Sequence, residues 1–459
     1  MPFNEAQSAA VSHKDGPMMV LAGPGSGKTT VVTHRVQSLI EKHGVNPSSI
    51  LVITFTRAAA REMKERFEPL IEGRPMRGPV SFGTFHSVFF RILKLAYQYD
   101  ASDIIREDQK LRLIRELTAK EQLEPEDENE LISSLISEIS AVKGEQIDLE
   151  HYYAKSCSGD SFRRIYRGYE EQLQRAHKID FDDMLVMCWD LFRKRPDILS
   201  AWQKKYEYIL VDEFQDINRL QYQIVRMLAA PSDNLFIVGD DDQSIYRFRG
   251  AKPEIMLGFE RDYPKAARVL LDVNYRSTRE IVEASLRLIE HNEKRFKKSL
   301  KTAGSRGRGV ITRIWEDEEE ENSRIAEEIR MYAEAGCSYS DIAVLYRTNS
   351  GPKRLIEKLM EYNLPFRARD QVPNLYEHWI SQNILSYIRV ALGNRDRAEV
   401  LQMINRPARY VGRDALRDPQ VSFEQLKAYY KDKDWMVAGI ENLEFDRTAV
   451  SRRSRLAAV

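Results

Sequence analysis

Cysteine is scarce in this sequence: Cys157, Cys188 and Cys337 lie far apart in 459 residues, with no CxxC pair among them. That spacing excludes a disulfide framework and a cysteine zinc site, and it suits a reducing compartment. Long apolar runs are missing too. No stretch approaches the ~20 residues a membrane helix needs, and the N-terminus has no basic-then-apolar leader. A soluble cytoplasmic protein with no membrane partner is expected. An excess of either charge is also lacking, since Lys plus Arg and Asp plus Glu number 70 each. No field over the whole molecule can gather a polyanion, so a nucleic acid would have to meet a local surface. The length suits two to four domains, each able to bury its own core.

What is present is AGPGSGKT, Ala22 to Thr29, between an apolar run from Pro17 to Leu21 and a segment of helical spacing from Thr30 to Lys42. Strand, loop and helix in that order are the setting of a phosphate-binding loop. Gly23, Gly25 and Gly27, with Pro24 and Ser26 between them, let backbone N–H groups close around a phosphate chain. Lys28 supplies positive charge for the terminal phosphates, and the Thr29 hydroxyl is placed to bind Mg²⁺, with Thr30 next to it. The first position is Ala22 where the pattern usually has glycine.

A second segment, VDEFQD from Val211 to Asp216, follows the apolar run Tyr208 to Val211. Asp212 can hold a metal's water shell, and Glu213 can orient and deprotonate an attacking water. An apolar run ending in Asp-Glu is common. Downstream of a phosphate loop it points to nucleoside triphosphate hydrolysis.

Strand signals at Met18 to Leu21, Ile50 to Thr56 and Val80 to Phe85 alternate with helical spacing at Thr30 to Lys42 and Arg57 to Pro69. That order predicts a parallel sheet with crossover helices. From Val88 to about Lys178 only helical spacing remains, which reads as an insertion. Strand signals resume at Tyr208 to Val211, Leu235 to Gly239 and Arg268 to Val273. A second alternating region follows, with strands expected at Gly309 to Trp315 and Asp341 to Arg347, and helices at Asn322 to Glu334 and Lys353 to Tyr362. The acidic run Glu316 to Glu321 reads as a solvated helix start. The basic run Glu293 to Lys301 reads either as a lining for a phosphate backbone or as a solvated face.

Further segments in order are FNEAQ (Phe3 to Gln7), TFTRAAAREM (Thr54 to Met63), GTFHS (Gly83 to Ser87) and IDFDDML (Ile179 to Leu185). VGDDDQSIYRFRGA (Val238 to Ala251) and LDVNYRST (Leu271 to Thr278) come next. Together with the two segments above, this series resembles the UvrD/Rep/PcrA family of superfamily 1 DNA helicases. The resemblance implies an α/β fold: a P-loop, RecA-like parallel-sheet domain with a helical insertion, plus an incomplete second RecA-like domain. The expected boundaries are 1–88 and 178–266 for the first domain, 89–177 for its insertion, 267–403 for a partial second domain and 404–459 for the start of a second insertion.

The activity implied is ATP-driven 3′→5′ translocation on single-stranded DNA, with Mg²⁺ as the only metal. Single-stranded DNA and single–double-strand junctions would be the partners, with a protein partner in repair or replication. By the resemblance, Gln7 would read the adenine edge, Arg35 and Tyr275 would sandwich its ring, and Gln243 would touch the γ-phosphate. Arg276 would reach across from the second RecA-like domain as an arginine finger. Phe55, His86, Tyr246 and Phe248 match positions where the family stacks bases, and Thr56, Arg57 and Arg249 could contact phosphates or bases nearby.

DIAVLYRTNS (Asp341 to Ser350) and INRPARYVG (Ile404 to Gly412) continue the likeness. Segments like TLHxAKGLE and VAxTRA, which the family carries, do not occur, so a C-terminally truncated member is expected. Two other readings stand beside it. One is an ATP-responsive single-strand-binding or interaction module without unwinding activity. The other is the helicase part of an AddA- or RecB-like helicase–nuclease.

Overall fold

The structure is a computed structural model that describes residues 2–73, 78–123, 128–247, 250–348, 351–369 and 379–441. The chain forms two compact units, 1–311 and 312–459.

The first unit is built on six strands: β1 (Met18–Ala22), β2 (Ile50–Thr54), β3 (Ser81–Thr84), β4 (Tyr208–Val211), β5 (Leu235–Gly239) and β6 (Ala267–Leu271). All pair in parallel, in the order β3-β2-β4-β5-β1-β6. The four inner strands are buried at every residue. Covered on both faces, they read in the sequence as continuous apolar runs rather than as alternation.

Successive residues still serve opposite faces. Met18, Val20, Ile50 and Val52 pack on one side against α1 (Glu5–Ser12), α2 (Lys28–Glu41) and α3 (Arg57–Phe67). Met19, Leu21, Leu51 and Ile53 pack on the other, against α4 (Phe85–Tyr97) and later helices.

Three helices, α5 (Glu107–Lys120), α6 (Glu128–Glu145) and α7 (Gly159–Arg175), close their own core around Ile114, Leu135, Ile139, Phe162 and Ile165. This insertion starts later than residue 89, because Val88, Phe89, Ile92 and Leu93 of α4 belong to the sheet's core. The chain returns to that core through α8 (Phe181–Lys194), α9 (Pro196–Lys205) and α10 (Arg219–Ala229).

A buried charge cluster ties the insertion to α8. Lys143 Nζ reaches Asp183 Oδ1 at 2.7 Å, Glu170 Oε1 at 2.7 Å and Asp180 Oδ2 at 3.2 Å. The Tyr169 hydroxyl donates to Asp180 Oδ2 at 2.8 Å. Burial first, and Asp180 next, push the Asp183 carboxyl up to about 7. Burial opposes ionisation of Asp180 as well, but Lys143 and Lys110 outweigh it and hold that carboxyl low.

Two expectations fail here. Residues 267–271, expected to open a second domain, are the sixth strand of the first sheet, registered against β1 from Met18–Ala267 to Ala22–Leu271. The free edge of β1 offers them a complete ladder, and that pairing decides where they go.

Residues 309–315 and 341–347, expected as strands, form none among the described residues. A strand needs a neighbouring backbone edge. Here Val310, Ile311, Ile314 and Leu345 stay exposed.

The second unit is helical in its described residues. Helix Glu318–Glu334 opens on the acidic run, with the Asp317 side chain accepting from Glu320 N. It packs on Lys353–Glu361 through Ala326, Leu355 and Leu359. A separate cluster joins Val390, Val400, Met403, Ile404, Phe423 and Leu426.

Candidate functional site

Parallel strands deliver their C-terminal ends to one edge, where open α/β sheets bind ligands. Most of the residues singled out above follow such an end. Phe55 follows β2, His86 follows β3, and Asp212 and Glu213 follow β4. Gln243 follows β5, the glycine loop follows β1, and Arg276 follows β6.

The glycine loop turns through two left-handed residues, Gly25 at φ +65° and Gly27 at φ +86°. The Ser26 hydroxyl closes it by donating to Gly23 O at 2.7 Å. Lys28, Thr29 and Thr30 form the first turn of α2, whose backbone N–H groups have no helical partner and face the loop.

Residues 274–276 are stitched onto this loop. Tyr275 N donates to Gly25 O at 2.9 Å, and Asn274 Nδ2 donates to Pro24 O at 2.7 Å. A Cβ on Gly25 would come within 2.7 Å of Arg276 Cβ, so only glycine leaves room for this approach. Arg276 is exposed and lies in the same compact unit as the loop. It was expected to reach across from a second RecA-like domain; instead it lies in the unit that carries the loop. β6 carries it to the loop directly.

Across the site, Lys28 Nζ stands 3.4 Å from Glu213 Oε2. Glu213 has φ +49° and ψ +45°, a left-handed conformation that costs a non-glycine residue about 1–2 kcal/mol. Gln215 Nε2 donates to Glu213 Oε2 at 2.9 Å.

Asp212 is buried, and its Oδ1 has no hydrogen-bond partner. Burial, and then the neighbouring Glu213 charge, push its carboxyl up to about 7 against the pull of Lys28. Asp216 repeats the pattern with an unpartnered Oδ1 and a carboxyl raised to about 6 by burial and Glu213. Orphaned, desolvated carboxylate oxygens beside a phosphate loop are donors that a hard cation would satisfy.

Beside the loop, Gln7 closes a capping box with Asn4 and donates Nε2 to Ser26 O at 3.1 Å. One amide N–H and one lone pair remain for another partner. Tyr275 is exposed, and its hydroxyl accepts from Asn4 Nδ2 at 3.0 Å. Gln7 and Tyr275 therefore share one rim.

Arg35 does not join them as a ring-stacking residue. It is 1% exposed, its guanidinium donates to the carbonyls of His13 and Lys14, and it lies 4.3 Å from the Phe236 ring centroid. Those carbonyls follow the end of α1. Closing that helix off consumes the group.

At the other half of the edge, the rings of Phe55 and Tyr246 stack at 5.2 Å and 26°. Thr56 caps α3 by accepting from Ala59 N, and Arg57 next to it is exposed. His86 meets Phe181 edge-on at 5.3 Å. Burial lowers its pKa, so the neutral ring is favoured. Phe248 and Arg249 lie outside the described residues.

Phe181 is 48% exposed beside His86 and was not singled out in the sequence, nor were Gln215 and Asn274. All three stand inside quoted motifs. An aromatic placed directly after the Asp180 N-cap was the available signal for Phe181.

Residues 3–264 match the UvrD/REP helicase N-terminal domain, and residues 269–436 match the UvrD-like helicase C-terminal domain. This chain belongs to the UvrD/Rep helicase family. A putative ATP-dependent DNA helicase, YjcD of Bacillus subtilis, is 37% identical over 418 residues, covering 90% of this chain and 54% of that protein. The ATP-dependent DNA helicase PcrA of Staphylococcus epidermidis is 36% identical over 420 residues, 89% of this chain and 56% of that protein. PcrA of Staphylococcus aureus is 36% identical over 428 residues, 91% of this chain and 57% of that protein. The chain spans a little over half the length of these relatives. UvrD/Rep members are RecA-like P-loop proteins, and the six-stranded parallel sheet is of that kind. No described helix is long and apolar enough to cross a membrane.

Proposed function

We propose that this chain is the ATP-hydrolysing, single-strand-gripping part of a 3′→5′ DNA translocase of the UvrD/Rep type, working in the cytoplasm. The observation that carries the proposal is one sheet edge with two chemistries. The glycine loop, Lys28, Asp212, Glu213 and Arg276 gather at β1, β4 and β6. The aromatic pair Phe55–Tyr246 stands by β2. The loop after β5 carries both Gln243 and Tyr246, so it belongs to each half.

In this reading the loop amides and Lys28 bind the phosphate chain, and Gln7 and Tyr275 hold the base. Glu213 orients the attacking water and takes its proton. Gln243 contacts the terminal phosphate, and Arg276 offsets the charge that grows on it. Asp212, with the Thr29 hydroxyl, would hold a Mg²⁺ ion, which supplies Lewis-acid stabilisation of the phosphate oxygens. Phe55 and Tyr246 stack unpaired bases without regard to sequence, and Thr56, Arg57, His86 and Phe181 line the same side.

The test is steady-state ATP turnover with and without single-stranded DNA, beside unwinding of a duplex with a 3′ tail. DNA-stimulated hydrolysis supports the reading. Nucleotide and DNA binding with no hydrolysis would favour an ATP-responsive binding module. Binding of neither would reject both.

A further inference from the structure

In the basic segment 293–301, Lys294, Lys297 and Lys301 are exposed, as on a solvated face, while Arg295 and Lys298 turn inward. The segment docks on three consecutive carboxylates after β5. Lys298 Nζ sits 2.5 Å from Asp240 Oδ1, 2.6 Å from Asp241 Oδ1 and 3.0 Å from Asp242 Oδ2, with none of its side chain exposed. Arg295 grips Asp242 with two hydrogen bonds of 2.6 and 2.7 Å, and Phe296 N donates to Asp241 Oδ2 at 2.7 Å.

The three aspartates have the spacing of a metal site. The ammonium stands where a cation would stand, so they read as a clamp.

What the clamp holds is the loop of Gln243. Asp240 divides its carboxylate, with Oδ1 on Lys298 and Oδ2 accepting from Gln243 Nε2 at 2.7 Å. Its backbone N–H donates to Gln215 Oε1 at 2.9 Å, and Gln215 donates in turn to Glu213 Oε2. A continuous line of contacts therefore runs from Lys298 through Asp240 to both Gln243 and Glu213.

The far end of the same segment touches the nucleotide side. Leu300 would meet a Cβ on Gly23 at 2.6 Å, and Lys301 N donates to Asp272 O at 2.7 Å. Lys301 and Thr302 pair with Val273 and Asn274, next to Arg276.

We propose that Lys298 is a positioning residue: through the buried Asp240–Asp242 clamp it fixes Gln243 and the loop that leads to Tyr246, and so links nucleotide binding to the grip on DNA. This rests on the proposed function for its ligands, but the clamp itself can be tested without them. Removing the ammonium leaves the buried carboxylates of Asp240 and Asp241 without a cationic partner and Asp242 with Arg295 alone, and the loop must then move to hydrate them. A group that contributed only fold stability would shift melting and leave the linkage alone.

The experiment uses the whole chain, its Lys298→Met variant and the milder Asp241→Asn, which removes one clamp charge without touching Gln243. Amide hydrogen exchange without ligands should speed up about tenfold or more over residues 240–247 in Lys298→Met. It should rise less in Asp241→Asn, with β1 and β2 unchanged in both.

The second readout is the ratio of affinities for oligo-dT with and without a Mg·ATP analogue. That ratio should fall toward one in Lys298→Met, while analogue affinity stays within about threefold of the parent. Unchanged exchange over 240–247 in a folded Lys298→Met protein overturns the proposal. A parent-like affinity ratio despite faster exchange overturns it as well. If the parent binds neither ligand, the proposed function fails, and the exchange data still decide the clamp.

Discussion

Lys28 Nζ and Glu213 Oε2, 3.4 Å apart, hold each other across the space where a terminal phosphate would lie. The pair keeps a lysine and a carboxylate partly desolvated and oriented before substrate arrives, and an incoming phosphate must draw the lysine to itself. Glu213→Gln removes the competitor and the base together. Its nucleotide affinity should equal or exceed the parent's, while turnover falls about 10²-fold or more. Lys28→Ala should lose binding itself. A fluorescent-nucleotide titration beside phosphate-release kinetics separates the two effects, and parent-like turnover by Glu213→Gln would remove Glu213 from the chemistry.

Arg35 and Tyr275 should behave oppositely, although both were expected to stack on adenine. Arg35→Leu strips hydrogen bonds from the part-buried carbonyls of His13 and Lys14 beyond the end of α1, leaves the space of a buried guanidinium to be repacked, and should cost on the order of 2–4 kcal/mol of stability. Its nucleotide affinity should stay within about threefold of the parent's once folding is accounted for. Tyr275→Ala should leave stability almost unchanged and weaken ATP about tenfold, the scale of one lost aromatic stack. Urea unfolding and nucleotide titration on both variants check this. An Arg35→Leu protein of normal stability but poor affinity would restore Arg35 to the base.

The contrast shows what the sequence could and could not carry. The placement of the glycine loop and the Asp212–Glu213 couple at strand ends was legible because each is a run of consecutive residues after an apolar run. The six-stranded order was not, because β6 joins the first sheet through a ladder with β1 that no local pattern encodes. Arg35 was misread for a similar reason. Its helical position was evident, but the carbonyls of His13 and Lys14 that consume it come from another element. The solvated face expected for the basic run holds for Lys294, Lys297 and Lys301, but the inward turn of Arg295 and Lys298 was not legible because their counterions, Asp240 to Asp242, lie more than fifty residues away. Segments 309–315 and 341–347 have strand composition, yet composition supplies no partner edge.

The Phe55–Tyr246 stack and Arg57 should separate two terms of DNA binding. Tyr246→Ala removes a base platform and should weaken oligo-dT by roughly 1–3 kcal/mol, or about 5- to 150-fold, without altering the slope of log K against log salt. Arg57→Ala should lower affinity and reduce that slope by about 0.7, the value for one single-strand phosphate contact. Fluorescence anisotropy over a salt series measures both. A reduced slope for Tyr246→Ala with no loss at high salt would mean that its ring does not stack on bases.

The cluster around Lys143 should make stability fall as pH rises through neutrality. Asp183, with a folded-state pKa of about 7, lies above the ~3.9 of an unfolded aspartate. Its protonated form favours the folded state, fully so below about pH 4, and that contribution is lost as pH climbs through 7. Asp180 runs the other way. Held low, it contributes above about pH 4 and is lost only in stronger acid.

Asp183→Asn keeps a neutral amide at the site and cannot ionise there. From pH 5 to pH 8 the parent should lose on the order of 2 kcal/mol more than the variant in urea unfolding. Other acids that titrate in this range, Asp212 and Asp216 among them, affect both proteins alike, so the difference between the two curves isolates Asp183. Curves that stay parallel would mean Lys143 keeps all three neighbouring carboxylates ionised, and the insertion would then be tied to α8 by a fully charged cluster rather than by one shared proton.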